Sequence, residues 1–139
     1  MNDKVRQRGA AAVEMAFTSI FLLILVTGII DLGRGIFTNI SIQEAAQEGA
    51  LYGAFEATIS ENDIEQRAIL STSSPTLTTD DVEVACSTAT KSVKNGTRVE
   101  VTVTYDLDLV TPFVGEWLGG SLTLTKKAEA ERFYPACPS

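Results

Sequence analysis

The chain contains no histidine and two cysteines, Cys86 and Cys137, among its 139 residues. Without histidine it lacks the commonest general base and metal ligand, and two cysteines alone do not make a usual structural zinc pattern. Basic residues are also few: 11 Lys and Arg stand against 18 Asp and Glu, for a formal net charge of −7. Phosphate backbones are held by basic patches, so nucleic acid is excluded as an expected partner. No proline occurs before Pro75, and from Gly9 to Ile30 the one ionisable side chain is Glu14. Within the first half of the chain, residues 9–30 therefore have no proline to break a helix and almost nothing to keep it in water.

What that first half does have is length and apolarity. A bilayer core about 30 Å thick needs roughly 20 apolar residues, and residues 10–30 give about 32 Å of helix. The segment reads as a transmembrane helix. Lys4, Arg6 and Arg8 precede it, Asp31 follows at once, and Arg34 is the sole basic residue beyond it until Arg67. The positive-inside bias places the amino terminus in the cytoplasm and the rest outside. Asp31-Leu32-Gly33-Arg34 makes a poor secretory cleavage site, because the small residues come before the apolar run, at Gly9 to Ala12. The span is expected to be kept.

Helical character is expected to continue over residues 31–58, with Phe37, Ile40, Glu44, Ala45, Glu48, Gly49, Tyr52 and Gly53 at three- and four-residue steps. Small residues recur at Ala45, Gly49, Gly53 and Ala57, and again at Ala46, Ala50 and Ala54, so another element can approach the backbone closely. Either the outer domain or a neighbouring subunit fits there, and ordinary helix–sheet packing is the plainer reading. Gly28, Gly33 and Gly35 offer a bend where the helix leaves the bilayer. Ser60 followed by Glu61-Asn62-Asp63 predicts a capped helix that ends before Pro75.

From there the period becomes two. Val82, Val84 and Cys86 alternate with Asp81, Glu83 and Ala85, and Asn95-Gly96 signals a hairpin. Val99, Val101, Val103, Tyr105, Leu107 and Leu109 then face one way, with polar residues between them. Thr111-Pro112-Phe113 ends that strand, a loop holding Trp117 follows, and a third strand runs from Ser121 to Lys126, extending toward Arg132. The expected fold class is α+β: a long amino-terminal helix packed with a short helix on a small antiparallel sheet of about three strands. The expected divisions are a leader at 1–9, a transmembrane helix at 10–30, its outer continuation at 31–58 and an outer domain at 59–139.

No catalytic constellation is visible, and the expectation is that the protein is not an enzyme and carries no cofactor or metal. Asp106 with Asp108, or Asp80 with Asp81, would need a loop supplying six to eight oxygen ligands to hold Ca²⁺, and none has that spacing. Asn39-Ile40-Ser41 and Asn95-Gly96-Thr97 match the short glycosylation triplet. Outside the cytoplasm a Cys86–Cys137 disulfide is expected, closing a loop of about 50 residues; the alternative is two free thiols.

Glu14 needs a reason, because a carboxylate within a span costs a few kcal/mol. A local account lets it sit near a helix amino terminus and reach toward the headgroups. A sharper account follows if the chain is cut after Gly9. Ala10 would then carry a protonated α-amine that Glu14, one turn along, neutralises in its own chain or in an adjacent subunit.

That arrangement resembles the prepilin leader of the type IV pilin superfamily: a basic peptide, Gly before the cut, and Glu as fifth residue of an apolar helix. The strings Arg8-Gly9-Ala10-Ala11-Ala12-Val13-Glu14-Met15-Ala16, Gly28-Ile29-Ile30-Asp31-Leu32-Gly33-Arg34 and Ala45-Ala46-Gln47-Glu48-Gly49-Ala50 look specifically like the TadE-like proteins of the tight-adherence (Flp) pilus machinery. Met15 departs from the pattern, since relatives usually have an aromatic residue there. The resemblance implies a minor pilin or pseudopilin at the bacterial inner membrane. It implies cutting between Gly9 and Ala10 by a prepilin peptidase, then assembly with other pilin and minor pilin subunits on the tight-adherence platform. The competing readings are an unprocessed single-pass anchor for an outer binding domain, and an extracytoplasmic enzyme.

Overall fold

A computed structural model of the chain describes residues 3–56, 58–88, 97–110 and 120–133. One helix, α1, runs unbroken over Asp3–Phe55, 53 residues and about 80 Å. A second, α2, covers Glu61–Ser71, and a short 3₁₀ turn at Thr79–Asp81 leads into the sheet. The strands are β1 (Val82–Thr88), β2 (Thr97–Asp108) and β3 (Ser121–Arg132), antiparallel in the order β1-β2-β3. This is the α+β arrangement that the residue pattern predicts.

The register pairs Val84 with Val101 and Cys86 with Val99 on one side of β2, and Val101 with Ala128 on the other. Val99, Val101, Val103 and Leu107 are buried, as the alternation along β2 requires. Above them lie Ile42, Ala45, Ala46 and Ala50 of α1 and Ile64 and Ala68 of α2. Burying one Val, Leu or Ile side chain contributes about 1.5–3 kcal/mol, and each alanine methyl less. The opposite face of the sheet is polar: Arg98 reaches Glu129 at 2.9 Å and Lys127 reaches Glu100 at 2.7 Å. The hydrogen bond and charge of Lys127 hold the Glu100 carboxyl below its usual range, and Glu100 raises the Lys127 ammonium in return.

Ala57 lies outside the described residues, and the rest of the small-residue stripe, Ala45, Ala46, Gly49, Ala50, Gly53 and Ala54, is buried within the molecule. A Cβ on Gly49 would sit 3.1 Å from the Ala68 Cβ and 3.4 Å from a Val101 methyl, and one on Gly53 would sit 2.9 Å from Ile64. Helix–sheet and helix–helix packing therefore accounts for it. Ser60 caps α2 by accepting from the Asp63 N–H, while the Asp63 carboxylate accepts from the Ser60 N–H at 3.0 Å and from its hydroxyl at 2.8 Å.

Along the outer part of α1, Phe37 and Ile40 are exposed and the neighbouring Thr38 and Ser41 are buried. One detail differs from the sequence expectation. Asp81 belongs to the 3₁₀ turn rather than to β1, because its carboxylate accepts from the Thr78 N–H and hydroxyl, both at 2.7 Å. No break marks Gly28, Gly33 or Gly35, and the helix passes through all three. The Asn95-Gly96 turn, the Trp117 loop, Thr111-Pro112-Phe113 and Cys137 lie outside the described residues.

Candidate functional site

The part of the molecule that its own fold leaves unused is the first half of α1. Residues 11–26 are all exposed, among them Val13, Met15, Phe17, Ile20, Phe21, Leu22, Leu23, Ile24, Leu25 and Val26. Apolar surface on this scale, bare on every side of one helix, is what a lipid environment or neighbouring helices must cover. By length and composition α1 is able to cross a membrane, with a most apolar window of mean hydropathy 2.3 that is 0% buried.

Two interactions at the upper end of this bare segment tie it to the domain. Asp31, 9% exposed, accepts a hydrogen bond from the Val110 N–H at 3.0 Å, just past the end of β2. Arg34 donates to the Asp108 carbonyl at 3.3 Å and stands 3.8 Å from Asp31. At the other end the Phe133 N–H donates to the Ala54 carbonyl at 3.2 Å and Arg132 donates to the Glu56 carbonyl at 3.1 Å. Between these ends, Leu107 packs beside Gly35, Val101 beside Gly49 and Val99 beside Gly53.

The strands thus run along α1. Residues 31–54 of the helix span about 35 Å, and Val99 to Val110 in extended chain span about 37 Å. β2 descends toward Asp31, and β3 rises from it.

Glu14 lies on the bare segment, exposed and without an ion pair among the described residues. Its backbone carbonyl accepts from the Thr18 hydroxyl at 2.9 Å. Gly9 and Ala10 fall inside α1, whose helical backbone begins at Asp3. In a chain beginning at Ala10, that residue and Glu14 stand one turn apart on the same face. Cys86 lies on β1 opposite Val99.

Elsewhere, Glu44, Glu48, Arg67, Leu70 and Ser71 line a shallow groove between α1 and α2. Arg67 spends its guanidinium on Glu48, with Nε 2.9 Å from the carboxylate, and lies 5.6 Å over the Tyr52 ring. Among the described residues no group of three or more Cys, Asp or Glu side chains is placed to hold a metal ion.

The feature that sequence reasoning missed is the Asp31–Val110 tie. Its partners are 79 residues apart and no local pattern links them. The one available signal was an acid placed immediately after an apolar run.

Residues 9–51 match the family model described as TadE-like protein. That segment begins at Gly9 and ends at Leu51, inside α1. No curated protein and no solved structure matches the chain.

Proposed function

From a TadE-like segment that occupies most of α1, which associates the protein with the tight-adherence pilus and with membrane anchoring by one amino-terminal helix, we propose a minor pilin or pseudopilin. The observation that carries this reading is the bare apolar half of α1, joined to a domain that covers only the other half. In the proposed sequence of events the leader lies in the cytoplasm and the sheet domain outside. A prepilin peptidase hydrolyses the bond between Gly9 and Ala10. The helix then leaves lipid by packing against helices of other pilin and minor pilin subunits on the assembly platform.

Glu14 would supply the counter-charge for the new amine at Ala10. In a low-dielectric surrounding, pairing offsets much of the cost of burying either ion. The exposed run Leu32, Ile36, Phe37 and Ile40 extends the apolar surface past the span and supports helix packing there too. The proposal assigns the protein no catalytic role. It includes a Cys86–Cys137 disulfide, supported by the absence of a free cysteine among the described residues and by the count of two in the chain.

Amino-terminal sequencing of protein from native membranes or fibres tests the reading. A start at Ala10 is expected. An intact leader in assembled material would point instead to an unprocessed single-pass anchor.

A further inference from the structure

Resting on the membrane-inserted reading above, we propose that the base of the sheet, at Val110, lies in the outer headgroup layer of the bilayer. The protein would then meet lipid at a second place besides its span. A span over residues 10–30 ends at Ile30, and the next residue, Asp31, accepts the Val110 N–H at 3.0 Å. The headgroup layer adds roughly 5–8 Å on each side of the hydrocarbon core, about the rise of one helical turn. A residue bonded to Asp31 has no room to stand clear of that layer.

The chemistry at the base suits such a position. Val110 is apolar and 57% exposed, and Leu32, beside Asp31 in the chain, is 65% exposed. The acid between them is already served: Asp31 is 9% exposed, bonded to Val110 and near Arg34, so approach to lipid strips little water from it. Arg34 is spent on the Asp108 carbonyl and keeps a long apolar stem at the same level. Apolar side chains flanking satisfied polar groups are the composition that interfacial positions favour. β2 and β3 lie along the helix, so the sheet presents its narrow end, not its charged face, to the membrane.

The test places a nitroxide on single introduced cysteines in the full chain, reconstituted without reductant in phosphatidylcholine vesicles, with labelled wild type as the blank. Leu23→Cys marks the span, and Leu70→Cys marks water on α2, beside Glu44 and about 20 Å beyond Asp31 along the helix. Val110→Cys reports the base while leaving the backbone N–H that bonds Asp31. Leu122→Cys reports the start of β3, paired with Leu107 at the level of Gly35.

Expected at Val110 is a loss of accessibility to a water-soluble nickel complex and a gain for oxygen relative to Leu70, with Leu122 between the two. If Val110 matches Leu70 while Leu23 reads lipid, the inference is overturned and the span stands. A Val110 label shielded from both reagents would signal a protein contact and overturn it as well. An aqueous Leu23 would remove the span, and the inference with it.

Discussion

At the scale of single residues, Glu14 and Gly49 carry opposite kinds of constraint. Glu14 is exposed and its carboxylate makes no ion pair among the described residues, so its removal is expected to leave the fold intact. Glu14→Ala is expected to insert in the membrane and lose its leader at the normal rate, while incorporation into fibres falls several-fold. Immunoblots of sheared fibres against membranes measure it, and wild-type incorporation would dismiss the ion pair. Gly49 is constrained by closeness, with Ala68 3.1 Å from where its Cβ would be. Gly49→Val forces two packed layers apart and should cost about 2 kcal/mol, within the usual range for overpacking. Gly33→Ala, where nothing lies within 4 Å, is the control and should leave the melting temperature in detergent unchanged or slightly higher. Equal melting of the two variants would show that the layers have slack.

At the scale of elements, the first turn of α2 is capped through a single carboxylate. Hydrogen bonds from the Ser60 backbone and hydroxyl hold the Asp63 carboxyl below its ordinary value of 3.8. A group whose folded value is depressed contributes stability above its unfolded value and loses it as pH falls through the folded one. The first turn of α2 should therefore loosen below about pH 4. Amide exchange at Asp63 and Ile64 would read this, and Asp63→Asn should abolish the acid dependence. An unchanged profile in that variant would assign the effect elsewhere.

Elements were also where the sequence was most readable. β2 alternates so regularly from Val99 to Leu107 that its buried face needed no structure, and Ser60 with Asp63 announced the start of α2. Three features resisted. Phe37 and Ile40 point outward while Thr38 and Ser41 are buried, because hydrophobic periodicity presumes one covered face and this helix serves two surroundings. Asp81 is drawn into a turn by Thr78, a local competition that strand alternation does not register. The contact between Asp31 and Val110 depends on the whole sheet being laid along the helix, which no window of sequence contains.

At the scale of the molecule, the domain is a covering for half a helix, and its closure is expected to be covalent. If Cys86 and Cys137 are joined, unreduced protein will migrate faster in denaturing gels than reduced protein and will resist alkylation. Identical mobility with two alkylatable thiols would remove the bridge. The amino-terminal half has the reverse character, since its apolar side chains are bare and nothing in its own domain covers them among the described residues.

The sheet is fastened to α1 near Asp31 and again near Ala54, with its strands lying along the helix between those points. It acts as a splint. When the chain is pulled along the axis of α1, the reinforced section yields only if the two fastenings slide together, whereas the unsupported turns below Asp31 lengthen one by one. Force spectroscopy on single chains should record early, gradual extension from the lower section and one abrupt late event from the upper. A single merged event would mean that the splint bears no load.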